Sequence, residues 1–236
     1  MDGTVATRAG SGEWSRFQKN LVVSGGSAAL AAGIAATDGK TNALYHALGV
    51  GRYQWDFSLP NPEPSATSLV DEYFRRTPNS VTYIDEYIGL HETSSPNPDD
   101  ELQSTIFGTI GGDLLIGRLI EIIAGTGAGD VREITSYTSP DIVTLSSGLS
   151  ATPDETTRFR VGVVSSTPTG VVDVVTVFPA TEGNSDGQIR EHGLFCGAAT
   201  AELGTGTLLC IQRHSVIAKT GEDLTRVWRL RIELVT

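Results

Sequence analysis

Apolar residues recur along this chain mostly at every second position, in short runs punctuated by Gly, Pro, Ser and Asp, and this alternation predicts β-strands. Runs of this kind fall at 14–23, 42–51, 80–84, 118–124, 131–137, 142–146, 157–161, 171–178, 189–195, 207–217 and 223–235. In the last run, Leu224, Arg226, Trp228, Leu230, Ile232 and Leu234 share one face at period two, and Arg226 is its only charge. The intervening segments 125–130, 139–141 and 183–186 are Gly-, Ser- or Asp-rich and predict turns.

Two stretches break the alternation. Residues 27–36 are alanine-rich with Ser27 in an N-cap position, which predicts a short helix. Gly33 weakens it by about 1 kcal/mol relative to Ala, so packing of Leu30 and Ile34 must hold it. Residues 65–76 offer a second short helix, with Ser68 and Asp71 as caps. Between them a loop carrying Pro60, Pro62 and Pro64 belongs at the surface, and the Pro-interrupted stretch 93–100 marks a module boundary. From 116 to 161 strands and turns alternate with short connections, the pattern of a small curled sheet or barrel that hides its own edges. The fold class expected is mainly β: a β-sandwich-like core (13–104 and 162–236) with one short N-terminal helix, an inserted small β barrel at 105–161, and a flexible arm at 1–12.

The chain has 236 residues, enough to bury a core without metal or crosslinks. Its formal charge of −11, with no Lys/Arg cluster, disfavours direct nucleic-acid binding. No apolar run reaches the roughly 20 residues of a membrane-spanning helix, and residues 1–12 lack the apolar core of a signal peptide. A soluble protein made in the cytoplasm is expected. Cys196 and Cys210 flank a predicted hairpin, so a disulfide is geometrically open, but reduced, space-filling thiols are the favoured reading.

Candidate chemistry is sparse. Gly125-Thr-Gly-Ala-Gly129 follows an apolar strand, as a phosphate loop would, but a nucleotide site needs a helix directly after the glycines and residues 131–137 read as a strand. A tight turn is the better reading. His46, His91, His192 and His214 are scattered, without metal-ligand spacing, and His192 beside Glu191 reads as a local polar pair. Asp85-Glu86, Asp99-Asp100-Glu101 and Asp154-Glu155 supply adjacent acids, but neighbours on a strand point to opposite faces and those in a loop are solvated. Ser24-Gly-Gly-Ser27 lacks a nucleophile elbow. No catalytic, cofactor or metal residue is therefore assigned, and no enzyme activity is expected. Tyr53, Trp55 and Phe57 alternate beside the Pro-rich loop; a core or subunit-contact role is the favoured reading, and rings exposed to stack on a sugar or anchor a partner are the alternative.

Asn20-Leu-Val-Val, the alanine-rich stretch and Tyr45-His-Ala-Leu-Gly-Val-Gly51 resemble the opening of a group of phage tail-fibre-like and baseplate-associated virion proteins. There a short helix leads into an Ala-Leu-Gly-x-Gly strand and a loop of acidic and basic residues, here 71–76. The run from Ile189 to Phe195, then Gly206-Thr-Leu-Leu, then Ile217-Ala-Lys-Thr220 before Leu224-Thr-Arg-Val-Trp-Arg-Leu230, is similar to that group's closing pattern. Residues 116–137 through 152–159 resemble a small β module that recurs in phage structural proteins. Cys196 departs from the pattern, standing where Gly is expected, and 86–104 matches nothing in it. The resemblance implies a virion protein of the tail, a fibre, baseplate or adaptor component assembled in the host cytoplasm. It also implies a homo-oligomer, trimeric, docking on neighbouring tail proteins. Two alternatives stay open: a module binding host-surface glycans, and a capsid decoration or head-fibre protein.

Overall fold

The computed structural model describes residues 2–9, 14–15, 18–19, 21–22, 44–92, 98–167, 169–184 and 188–231, and the chain is mainly β. The first strands are β1 (Asp2–Ala9), β2 (Gln18–Lys19), β3 (Leu21–Val22) and β4 (Tyr45–Gly49). A 3-10 turn (Tyr53–Asp56), β5 (Glu72–Arg76), β6 (Ser80–Leu90) and β7 (Glu101–Gln103) follow. Two short helices, α1 (Thr105–Ile110) and α2 (Gly112–Leu115), precede β8 (Leu119–Ala124), β9 (Val131–Thr138), β10 (Ile142–Leu145) and β11 (Arg158–Val164). The chain closes with β12 (Val171–Phe178), β13 (Ile189–Cys196), β14 (Thr207–Ile217) and β15 (Leu224–Arg231).

The chain divides into two compact units, residues 1–5, 18–81 and 173–236, and residues 6–17 and 82–172. In the first unit, the five-stranded sheet β3-β14-β13-β4-β5 is antiparallel throughout. It packs face to face with β15 and β12, which neighbour each other in the second sheet, as the ring contacts of His46 and Phe74 with Phe178 and of His46 with Trp228 show. This is a sandwich. The period-two stripe of β15 is realised, with Leu224, Arg226, Trp228 and Leu230 all buried. Val227 and Arg229, on the strand's opposite face, are buried as well.

In the second unit the strand order is β6-β11-β8-β9-β10-β7, and the sheet curls. Beyond its ladder, Glu92 N–H donates to the Gln103 carbonyl, joining the end of β6 to β7, the last strand in the order. The inward face is filled by Leu102, Phe107, Ile120, Ile122, Ile134, Val143, Phe159 and Val161. Phe107 and Phe159 stack with ring centroids 4.8 Å apart. Phe107 and Ile110 lie three apart on α1, so one short turn presents both to this core. The first backbone N–H of α1, that of Thr105, is capped by the Glu92 carboxylate at 3.1 Å, which also accepts from the Thr105 hydroxyl at 2.9 Å.

Several expectations need correcting. The segment expected as a helix over 65–76 is a loop leading into β5, because Glu72–Arg76 pairs with β4 along His46↔Arg76, Ala47↔Arg75 and Leu48↔Phe74. The arm expected over 1–12 contains β1, which pairs with β2 through Thr4↔Lys19 and Val5↔Gln18. The strand expected over 14–23 is represented by β2 and β3. The middle unit is wider than 105–161, because β6 runs eleven residues and pairs with β11 from Ile84 to Leu90. The helix expected at 27–36 lies outside the described residues.

Candidate functional site

The candidate contact residues sit on the 3-10 turn. At about three residues per turn, positions 53, 55 and 57 do not share a face as they would on a strand, and the structure separates them accordingly. Tyr53 and Phe57 are 64% and 78% exposed, whereas Trp55 is buried at 6%. The two exposed rings meet edge to face, 5.3 Å between centroids. Trp55 is a correction to the expected contact set: its ring lies under the Arg213 guanidinium, 4.6 Å from its centroid, and anchors the turn.

The turn is pinned by charge. Asp56 accepts from Arg190 Nε at 2.9 Å and Nη2 at 2.7 Å, a two-point pair with a nearly fully buried guanidinium. Its Oδ1 also accepts the Val216 N–H, which ties the turn to β14. The hydrogen bond from Arg190 holds the Asp56 carboxyl below its usual range, and the same bond raises the Arg190 guanidinium. Gly51 has φ +65°, and a Cβ there would meet the Trp55 ring at 2.5 Å, so glycine lets the chain pass beneath the anchor. Leu59 and Val216 are exposed apolar residues of the same unit.

A second constellation lies inside the sandwich. His46 of β4, His192 of β13 and His214 of β14 converge on Arg226 and Trp228 of β15, all of them buried. Their hydrogen bonds fix the tautomers. The Trp228 indole N–H donates to His46 Nε2 at 3.1 Å, so the proton of His46 is on Nδ1. His192 Nδ1, 3.2 Å from the same His46 nitrogen, must donate, which leaves its Nε2 to accept from Arg226 Nη2. His214 Nε2 accepts from Arg226 Nη2 at 3.1 Å, and its Nδ1 donates to the Ser215 carbonyl at 2.7 Å. All three rings are neutral. Burial first, and then the charge of Arg226, push the His46 and His192 rings well below 6.5 and His214 to about 3. Burial likewise lowers the Arg226 guanidinium well below its usual range.

The other candidates resolve into structural roles. Residues 125–130 form a turn, with the Gly129 N–H on the Ile122 carbonyl, and β9 follows directly, with no helix at its end. Asp154 braces that turn, accepting from the Thr126 hydroxyl at 2.7 Å and from the Thr156 hydroxyl and N–H, and these bonds hold its carboxyl at about 2. Glu86 faces Arg160 at 3.9 Å, and Glu121 reaches the same guanidinium at 3.5 Å. His91 Nδ1 accepts the Gln103 N–H at 3.1 Å inside the second unit. Glu191 and His192 are not a local pair: the Glu191 carboxylate takes the Val70 N–H and Arg213, and burial raises it. Cys196 and Cys210 are free thiols, pushed up by burial. Among the described residues, no group of three or more His, Cys, Asp or Glu is arranged to hold a metal ion. No described helix is long and apolar enough to cross a membrane.

Sequence reasoning missed the convergence of the histidines, which are brought together from positions as far apart as 46 and 214. The one signal that pointed there was the lone charge in the apolar stripe of β15. No family model matches the chain, and no curated protein matches it.

Proposed function

We propose that this protein is a structural component of a phage tail (a fibre, baseplate or adaptor subunit) that works by docking to copies of itself and to neighbouring tail proteins. The observation that carries the reading is the Tyr53–Phe57 pair: two exposed rings on a turn held rigid by a buried anchor and a two-point ion pair. Rings ordered before binding lose little freedom on contact, and aromatic anchors of this kind dominate protein interfaces. The resemblance to tail proteins supplies the particle and the trimer. Mass measurement of the purified protein under native conditions tests it: the wild type assembles, and the double variant Tyr53→Ser, Phe57→Ser shifts to the single-chain mass. A wild type of single-chain mass at every concentration overturns the reading.

The same exposed rings favour a second reading, a host-surface glycan site, since aromatic faces stack on sugars. Its signature is retention on a glycan array that the same double variant abolishes while the assembled mass is unchanged. A capsid decoration role is distinguished by binding of the pure protein to tailless capsids.

A further inference from the structure

The histidine–arginine cluster joins the two faces of one sandwich. His46, His192 and His214 come from the five-stranded sheet, while Arg226 and Trp228 come from β15 in the facing sheet. Each ring nitrogen that has a lone pair already accepts a hydrogen bond: from Arg226 in His192 and His214, and from Trp228 and His192 in His46. A proton added at any of these nitrogens turns an acceptor into a donor aimed at another N–H. It also places an imidazolium against a buried guanidinium. Among the described residues, the groups that face the rings are Gln212 of β14, whose Oε1 lies 3.5 Å from Arg226 Nη1, Phe178 of β12 against His46, and the more distant charge of Arg190 acting on His214. None of these three offers a carboxylate to compensate a protonated ring.

We propose that His46, His192, His214 and Arg226 form an acid-sensitive latch that holds the two sheets of this unit together at neutral pH and releases them on acidification. The folded rings titrate below their ordinary value of 6.5 and the released rings near it, so the open form binds more protons. The latch is complete above about pH 6.5 and weakens as pH falls, well before the folded rings themselves take up a proton. With three protons taken up per opening, the opening constant rises toward about a thousand-fold per pH unit once the released rings are fully protonated. Between about pH 6.5 and 5, carboxylates at their usual values contribute little, and Glu191 of β13, raised by burial, holds its proton more readily in the closed form and so opposes opening. A rise in opening on acidification therefore reports the histidines.

The test is hydrogen exchange of the β13, β14 and β15 amides in the full-length protein across that window, corrected for the intrinsic pH dependence of exchange. The expected result is an opening constant that climbs by more than a hundred-fold between pH 6.5 and 5. His214→Gln lowers the proton count by one, and His91→Gln, in the other unit, leaves it unchanged. Should His214→Gln fail to fold, the wild-type slope and the His91→Gln control still decide. An opening constant that is flat or rises by at most one proton per opening overturns the proposal. So does a slope that falls with His91→Gln.

Discussion

Removing Asp173 while leaving Arg229 in place takes a two-point carboxylate partner from a buried guanidinium in the sandwich. The two side chains, on β12 and β15, meet through Arg229 Nε to Oδ1 and Nη2 to Oδ2, both at 2.8 Å, and are only 11% and 3% exposed. The pair itself gains little over a good apolar contact, since desolvation of two ions offsets most of their attraction. Breaking it from one side is different, because the guanidinium stays buried without its carboxylate. Asp173→Ala should therefore cost about 3–5 kcal/mol. At about 2–4 °C per kcal/mol in a chain of this length, the melting transition of this unit falls by roughly 6–20 °C. Asp173→Asn keeps the shape but puts an NH2 where one of the two accepting oxygens was, so its loss reports the charge together with one hydrogen bond. The double variant Asp173→Leu, Arg229→Met removes both ions and should recover most of the loss. Calorimetry on these proteins and on the single variants Asp173→Leu and Arg229→Met, which close the double-mutant cycle, checks this. Raising the salt should change the wild-type transition little, because a buried pair is poorly screened. If Asp173→Ala costs less than about 1 kcal/mol, the range typical of surface pairs, water reaches Arg229 and the argument from burial fails. If the double variant is as unstable as the two single losses added together, the residues are not coupled and it fails equally.

Two further outcomes follow from the middle unit. Gly125 has φ +77°, and a Cβ there would lie 2.0 Å from the Thr156 carbonyl oxygen. Gly125→Ala should thus cost about 1–2 kcal/mol for the left-handed backbone and about 1–3 more for the clash, read as a lower urea midpoint with the same slope. Asp154, held at about 2 against an ordinary 3.8, stabilises this turn above the ordinary value and loses that contribution as pH falls toward 2. Asp154→Asn should flatten this acid dependence, and an NMR titration of the Asp154 carboxyl that gives an ordinary value would refute the assignment.

Much of the strand pattern was legible because alternation survives folding. Val171–Phe178 was read to the residue, and the glycine-rich segment 125–130 turns between β8 and β9 as its composition required. What failed had physical causes. Glu72 and Arg75 stand three apart, a spacing that helices use, and they do form an ion pair, but pairing with β4 outweighs that local preference and the segment is a strand. The helix α1 went unseen because Gly108 interrupts it and Gly111 and Gly112 follow, and its stability comes from Phe107 and Ile110 entering the curled sheet's core. Tyr53, Trp55 and Phe57 looked like one face because strand alternation was assumed where the chain makes a 3-10 turn. The histidine cluster depends on the register of three strands against a fourth, which spacing along the chain does not encode.

That register connects the buried charges to the specificity of the fold. β15 is buried on both faces, so apolar contact alone discriminates poorly between its correct pairing and one slipped by a residue. Arg226 and Arg229 lie three residues apart, and therefore on opposite faces of the strand. Arg226 reaches His192 and His214 across the sandwich, while Arg229 reaches Asp173 on the adjacent β12. A slip of one residue would turn Arg226 away from the rings and Arg229 away from the carboxylate together, breaking both sets of buried contacts at once. At about 3–5 kcal/mol for the broken Arg229–Asp173 pair and about 1–3 more for the buried hydrogen bonds that Arg226 loses, that penalty is comparable to the whole stability of an ordinary domain, about 5–15 kcal/mol. The cations of β15 thus contribute less to the depth of the native state than to the exclusion of its nearest competitor. Through His192 and His214, Arg226 also ties this strand to β13 and β14 of the facing sheet, the two strands that hold the Asp56 turn, and with it Tyr53 and Phe57, in one orientation.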